Sequence, residues 1–351
     1  MSGVVLTGSS GALGSRVATR LLASSSSAPV TGLDLVPGPC EPSERFHARR
    51  FDLATDDLAP QLAQADTLIH LASVLAPGPG RDDSGVDSGV DVELTERVLA
   101  AAGAAGVHQV VLVSSATVYG AWPDNPIPLT EDSPARPNPG FAFAEDKARV
   151  ERLAERHRNE HPRARVAVLR PTTTLAEESA SWVASALLSA AGLRAGEFDP
   201  PVQFLHFDDL ASAAVLVAEQ GCDGAFNVAP DGWIPPDAMR ALAGIPRPRV
   251  PVAIAGRFVA TRWRLGLSST PPQILPWIMH PWVVANDRLR SLGWVPTHTN
   301  EEAYVAGTSP GPLDTLSPKR RQELAIGAAA AGVVASCAAG VGILRRVRRG
   351  R

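Results

Sequence analysis

Within its first fourteen residues the chain runs from an apolar stretch, Val4-Val5-Leu6-Thr7, into glycines at 8, 11 and 14. An amphipathic stretch from Ser15 to Leu22 follows at once. That order predicts a strand, a tight glycine turn and the start of a helix. Each glycine answers its own steric demand. The first makes the turn, the second lets backbone approach a pyrophosphate, and the third lets the helix pack close to the strand. A helix start at this point offers unpaired N–H groups and a positive dipole end to an anion. Gly8, Gly11, Ala12, Leu13 and Gly14 are therefore candidate contacts for a dinucleotide. The competing reading is a glycine turn with a structural role alone.

The next apolar run, Pro29 to Leu35, reads as a second strand with Asp34 at its end. A carboxylate at this distance from the glycines accepts from adenosine ribose hydroxyls and repels a 2′-phosphate, which favours NAD over NADP. The alternative is an Asp that faces a loop. Further buried strands are expected at Thr67–Ser73, Gln109–Val113, Arg165–Pro171 and Gly224–Ala229, with helices at Val92–Ala105 and Ala142–His157. Val202 to Leu210 reads as a strand passing into a helix. Strands nearly continuous in Val, Ile and Leu, alternating with helices, predict an α/β fold, a doubly wound Rossmann-type parallel sheet. The expected organisation is a dinucleotide domain over 1–230, with substrate-lobe segments near 172–200. A smaller irregular C-terminal lobe would follow over 231–306, then a linker over 307–323.

The 351 residues carry a net charge of −3, unevenly placed. Residues 319–351 hold eight basic residues and one acid, so +7, which leaves −10 on residues 1–318. An acidic body argues against nucleic-acid binding. Cys40, Cys222 and Cys337 show no metal-ligand or CxxC spacing. That fits a reducing compartment and argues against a disulfide framework or a metal site. The N-terminus enters the first strand directly, so no signal peptide and a cytoplasmic location are expected. Residues 324–344 form an uncharged run of 21, and a helix of that length would span about 30 Å, a bilayer core. Gly332, Ser336 and Gly340 give it a stripe of small residues. Basic clusters flank it on both sides, including the tail 345–351, and this disfavours a spanning anchor. Membrane contact through 324–351 is one expectation; an Ala-rich soluble or disordered tail is the other.

Taken in order, several motifs resemble the extended short-chain dehydrogenase/reductase superfamily, in its NAD-dependent sugar epimerase/dehydratase-like branch. They are Thr7-Gly8-x-x-Gly11-x-x-Gly14, Asp34, Asp52-Leu53, His70-Leu71-Ala72, Ser114-Ser115-Ala116-Thr117-Val118-Tyr119-Gly120, Leu169-Arg170-Pro171, His206-Phe207-Asp208-Asp209-Leu210, Phe226-Asn227-Val228 and Leu292-Gly293-Trp294. The resemblance implies NAD as cofactor and a small-molecule substrate, a nucleotide-sugar being one candidate. It implies Asp52 and Leu53 against the adenine, and Leu71, Ala72 and Ser73 beside the nicotinamide ribose. Pro171 and Thr172 would lie near the carboxamide, and two copies would pair beside the Lys147 helix. Asp91 stands where relatives usually carry Asn. Tyr119, His206 and His70 read as packing or junction residues rather than catalysts.

Relatives transfer hydride with a Ser or Thr, a Tyr and a Lys, the last two spaced Y-x-x-x-K. Residues i and i+4 share a helix face. The ammonium lowers the phenol's pKa and holds the nicotinamide ribose, and the phenol then carries the proton. Ser115 and Lys147 match the serine and the lysine. The chain has only two lysines, Lys147 and Lys319, so a chance placement is disfavoured. Four residues before Lys147, however, stands Phe143. The only tyrosines are Tyr119 and Tyr304, and neither has a Lys at +4. Loss of a general acid–base group costs roughly 10²–10⁴ in rate. Three readings stay open: an oxidoreductase or epimerase working through Ser115 and water, an NAD-binding pseudoenzyme acting as sensor or scaffold, or a non-redox enzyme. Ala116-Thr117 directly after the hydroxyl residue counts against a sugar 4,6-dehydratase, which carries an Asp-Glu pair there. Substrate is expected between Ser115, the 74–90 loop and the C-terminal lobe. Trp263, Trp277, Trp282 and Trp294 either stack a sugar or fill the lobe's core.

Overall fold

The computed structural model describes residues 3–308 apart from 37, 39–42, 74–88, 178, 191–193, 196–198, 244–248 and 266–269. Most of the 74–90 loop and the expected tail over 309–351 lie outside the described residues.

The strands are β1 (Gly3–Thr7), β2 (Val30–Asp34), β3 (Phe46–Arg50), β4 (Ala65–His70), β5 (Gln109–Val113), β6 (Arg165–Pro171), β7 (Thr173–Ala176), β8 (Ser179–Ala180), β9 (Arg194–Ala195), β10 (Phe204–His206), β11 (Gly224–Val228) and β12 (Arg249–Val250). The helices are α1 (Ala12–Ala23), α2 (Ala59–Leu62), α3 (Val90–Ala105), α4 (Ala142–Glu160), α5 (Trp182–Ala190), α6 (Phe207–Glu219), α7 (Pro236–Ala243), α8 (Val252–Arg264), α9 (Leu275–Met279), α10 (Asp287–Ser291) and α11 (Asn300–Gly307).

Seven strands form one parallel sheet in the order β11-β6-β5-β4-β1-β2-β3. The order reverses at β1, and β1 and β4 diverge in connection there, so a crevice opens at their C-terminal ends. Period-two alternation sorts the strand side chains between two cores. Leu6, Ile69, Val111, Ala167 and Leu169 pack with Val17, Ala18 and Leu21 of α1 and with Leu210, Ala211 and Ala214 of α6. Val5, Leu33, Leu68, Val110, Leu112, Val166 and Val168 pack with Val98 and Leu99 of α3 and Val150 and Leu153 of α4. Each fully buried Val, Leu or Ile contributes about 1.5–3 kcal/mol relative to exposure. Helices thus cover both faces of a doubly wound Rossmann-type sheet.

Residues after 231 form short elements around a third and fourth apolar cluster, except that Leu289 and Trp294 reach back into the α1–α6 core. The Trp294 indole donates to the Ser212 hydroxyl at 2.9 Å, which ties the end of the lobe to α6. Among the described residues no helix is long and apolar enough to cross a membrane.

Candidate functional site

The glycine turn leaves β1 with Gly8 at φ +72, a left-handed conformation that a side chain would strain. Gly8 N–H bonds the Leu33 carbonyl at 2.8 Å, and Gly11 N–H bonds the Gly8 carbonyl at 3.2 Å. A Cβ on Gly14 would lie 2.0 Å from the Gly8 carbonyl oxygen, and one on Gly8 would lie 2.7 Å from Ala72 N. Gly11 is different. Its Cβ would meet only the Gly8 oxygen, at 3.5 Å, so that side is open. Gly11 is the N-cap of α1 and offers no side chain to the first-turn N–H groups. An anion above Gly11 would take them.

The turn forms one wall of a cleft of about 470 Å³. Gly8, Gly11, Ala12, Leu13, Gly14, Leu71, Ala72, Ser73, Ser115, Phe143, Lys147, Pro171 and Thr172 all line it. Asp34, Asp52 and Leu53 are not part of that lining. Asp34 ends β2, and its Oδ2 accepts from Ser10 N–H at 2.9 Å, so one carboxylate oxygen is tied to the glycine turn. Asp52 accepts from Ala54 N–H at 2.9 Å, while Leu53 packs on the α3–α4 core.

Opposite the turn, α4 presents Phe143 and Lys147 one turn apart, both buried. The Lys147 Nζ lies 5.8 Å from the centre of the Phe143 ring. It is 3.2 Å from the Asp91 carboxylate on α3 and 3.4 Å from the Ser73 hydroxyl after β4. Ser73 also donates to Asp91. Asp91 is thus the residue whose place the sequence left least defined. Its contact with Lys147 joins segments 56 positions apart, and no spacing rule announces it. Ser115 follows β5 and accepts from Thr117 N–H at 3.2 Å and from the Thr117 hydroxyl at 3.0 Å, capping the 3-10 turn Ala116–Tyr119. The two acids nearest in sequence are engaged elsewhere. Glu145 accepts from Gly140 N–H at 3.0 Å, and Asp146 from Gly89 N–H at 3.2 Å. Burial pushes the Asp146 carboxyl up.

His70 lies on the cleft floor between the walls. Its Nδ1 is 2.7 Å from the Thr7 hydroxyl and its Nε2 is 3.4 Å from that of Thr95. Burial first, then the Lys147 ammonium, pulls its pKa down to about 4, so the ring is neutral at pH 7. The Tyr119 hydroxyl donates to Asn227 Oδ1 at 2.7 Å and accepts from Arg170 at 2.7 Å. Burial lifts its phenol to about 12. Arg170 is clamped in turn by Glu151, with the shortest contact 2.6 Å. Tyr119 and Arg170, both buried, and Glu151 together fasten β6 to α4 and the 3-10 turn. His206 caps α6, its Nδ1 accepting from Asp208 N–H at 3.2 Å, and stacks on His298 at 3.9 Å.

The residues present fit NAD. The open side of Gly11 leaves room for a phosphate, and Lys147 supplies a cation in the cleft. Thr172 carries a buried hydroxyl oxygen with no hydrogen-bond partner among the described residues, at the place where a carboxamide is expected. A second cavity, of about 100 Å³, lies in the lobe between Gln203, Phe204, Arg240, Trp277 and Trp282. Trp277 and Trp282 pack in the lobe core with Phe141 and line this cavity, while Trp294 belongs to the α1–α6 core.

The UDP-glucose 4-epimerase of Mycolicibacterium smegmatis is 34% identical over 165 residues, which are 44% of this chain. The chain spans only 51% of that curated relative's length. Among solved structures, MoeE5 in complex with UDP-glucuronic acid and NAD superposes with a TM-score of 0.63. It is 21% identical, and the match covers 87% of this chain and 97% of that one. A tyrosine-to-phenylalanine mutant of the UDP-glucuronic acid 4-epimerase of Bacillus cereus, in complex with UDP-4-deoxy-4-fluoro-glucuronic acid and NAD, gives a TM-score of 0.64. Its identity is 17%, over 87% of this chain and 97% of that one. The family model described as the NAD dependent epimerase/dehydratase family matches residues 4–229, well over half of the chain, and the chain belongs to that family.

Proposed function

We propose that this protein holds NAD and a nucleotide-sugar in the cleft and acts on a hydroxyl or carbonyl of the sugar without a phenolic proton carrier. The observation that carries the reading is the α4 wall: Lys147 lines the cleft in the company of a phenylalanine ring, with Ser115 in the same lining.

When bound, NAD supplies reversible hydride acceptance. The chain's own residues must bind, orient and handle the proton. The first turn of α1 holds the pyrophosphate through backbone N–H groups, and Asp34 takes the adenosine ribose with its remaining acceptor capacity. Thr172 supplies its unpartnered hydroxyl to the carboxamide. Lys147 moves from Asp91 towards the nicotinamide ribose hydroxyls. The Ser115 oxygen accepts from the substrate hydroxyl once it releases one of its two Thr117 donors. As the substrate hydroxyl gives its proton to the Ser115 oxygen, Ser115 gives its own proton to water, because Phe143 has no oxygen to receive one. Water is a poor base for this step, so turnover is slow. The sugar-nucleotide part of the proposal is supported by the ligands of the superposed structures. In the Bacillus cereus protein, NAD and a sugar-nucleotide analogue are both bound while one tyrosine is phenylalanine. Two copies are proposed to pair beside α4, as the resemblance implies.

A second reading, an NAD-binding protein without turnover, is favoured by the Asp91–Lys147 ion pair, which neutralises the ammonium a phenol would need. Phe143→Tyr separates the two. If the site is intact but lacks its proton carrier, the variant raises oxidation of UDP-glucose or UDP-glucuronic acid by about 10²–10⁴, read by nicotinamide absorbance. Robust native turnover that the variant leaves unchanged would place the proton elsewhere. Asp34→Ala should weaken NAD binding about tenfold, the loss of one or two charged hydrogen bonds. Calorimetry with no NAD binding to the native chain sinks the cofactor assignment to this cleft.

A further inference from the structure

From residue 238 through 286 the sequence holds six arginines and no acidic residue, in a chain whose net charge is −3. α8 lies in the middle of this span. Its inner side is small: Ala255 and Val259 are buried, and Gly256 approaches Leu275 of α9. Its outer side is not polar. Ile254 is 57% exposed, Phe258 48%, and Leu265, the residue that closes the helix, 67%. With about 3.6 residues per turn, positions 254, 258, 261 and 265 fall on a single line along the helix. Thr261 completes that line and is exposed. Arg257 and Arg264 stand on one flank of it and Arg262 on the other, all exposed. The Arg262 guanidinium lies 5.6 Å from the centre of the Phe258 ring.

Single exposed apolar residues are ordinary. An apolar keel with arginines along both flanks is not, because it matches one kind of surface. Apolar side chains enter the acyl boundary of a bilayer while flanking arginines reach up to the headgroup phosphates. Other occupants fit less well. A second copy about a two-fold axis would set arginine against arginine. The chain's own segment 319–351 carries +7 and repels the same arginines. Nucleic acid would satisfy the arginines and leave the keel in water.

We propose that α8 is a docking face for an anionic lipid bilayer. The face is separate from the NAD cleft and does not depend on the function proposed for it. Burial of Ile254, Phe258 and Leu265 supplies the apolar part, and the exposed Arg257, Arg262 and Arg264 beside them supply the attraction to negative lipid.

The test is co-sedimentation of the full chain with vesicles of phosphatidylglycerol and phosphatidylcholine, against vesicles of phosphatidylcholine alone. Binding to the anionic vesicles, weakened by salt, is expected. The double variant Ile254→Ser/Phe258→Ser should lower the partition coefficient at least about tenfold. Arg257→Gln/Arg264→Gln should lower it on anionic vesicles while leaving thermal unfolding unchanged. No binding to anionic vesicles overturns the proposal. Binding that both variants leave unchanged also overturns it, since 319–351 would then carry the contact. A serine variant that converts a dimer to a monomer assigns the face to a second copy and overturns it as well.

Discussion

The glycine wall of the cleft meets its demands with backbone, while the α4 wall meets its own with side-chain shape. On the first, the Gly14 position and the Gly8 carbonyl are so close that no side chain fits between them. On the second, Phe143 keeps a buried ring beside Lys147 and omits one oxygen. Binding geometry that depends on backbone approach cannot be lost gradually. Proton chemistry that depends on a ring's terminal atom can be lost with the fold and the pocket intact. The two functions proposed for this cleft are therefore physically separable, and three measurements probe how far.

The largest effect should come from the residue that ties the glycine wall to α3, which carries the Asp91 partner of Lys147. His70 bonds Thr7 of the glycine wall and Thr95 of α3 as a neutral ring, with its pKa held near 4 against an ordinary 6.5. Below 6.5 the unfolded chain takes a proton that the folded chain refuses. The stability contribution is thus complete above 6.5 and is lost as pH falls towards 4. Over that window it amounts to about 3 kcal/mol. Denaturant unfolding at pH 7 and at pH 4.5 measures it, and His70→Gln should flatten most of the slope. His157, His206 and His280 are also pushed down by burial, so some acid sensitivity should survive. A slope unaltered in His70→Gln would mean that the link between the glycine wall and α3 does not depend on the neutral ring.

Gly14→Ala strikes one wall alone. The added Cβ meets the backbone of Gly8 and Ser9, so the turn must open, at a cost of about 1–3 kcal/mol. If that falls on the site, NAD affinity drops roughly 10- to 100-fold. Phe143→Tyr, by contrast, should leave NAD affinity within about twofold, because the shape of the α4 wall is unchanged. Calorimetry on the two variants in parallel tests the separation directly. Equal losses in both would break it.

Much of the fold was legible because its signals are local. Strands such as Gln109–Val113 and Arg165–Pro171 are continuous apolar runs, and their bounds match the sequence reading. The glycine turn and the Lys147 helix were also local patterns. The partners of those residues were not. Asp91 meets Lys147 and Ser73 only because α3, α4 and the end of β4 converge, and the sequence offers no period that links the three. Thr172 is similar: its orphaned hydroxyl follows from the packing around it, not from the residues beside it. Trp294 looked like a lobe residue by position, yet its indole lies in the sheet's own core. Asp34 was read from its spacing to the glycines, but its bond to Ser10 N–H depends on how the turn folds back over β2.

The smallest predicted effect bears on the α4 wall itself. A phenol introduced by Phe143→Tyr would face the Lys147 ammonium, but that charge is paired with Asp91. Among the described residues the other groups around it are the neutral His70 from β4, the hydroxyls of Ser73 and Ser115, and on α4 the acids Glu145 and Asp146, which are bonded to Gly140 and Gly89 N–H. Asp91 is the described carboxylate paired with that ammonium. With the carboxylate in place, ammonium and carboxylate offset each other, and burial at position 143 pushes the phenol up. Asp91→Asn keeps the shape, removes the negative charge and leaves the ammonium uncompensated, which favours the phenolate. The phenol of the Phe143→Tyr/Asp91→Asn variant should titrate about one unit below that of Phe143→Tyr alone, about 1.4 kcal/mol. Ultraviolet titration reads this without cofactor or substrate, because burial lifts Tyr119 to about 12 and the parent protein supplies the Tyr304 baseline. Equal titration in the two variants would show that Asp91 does not govern the ammonium. A separation of one unit would show that Phe143 and Asp91 are paired departures, since restoring the phenol alone leaves its partner charge neutralised.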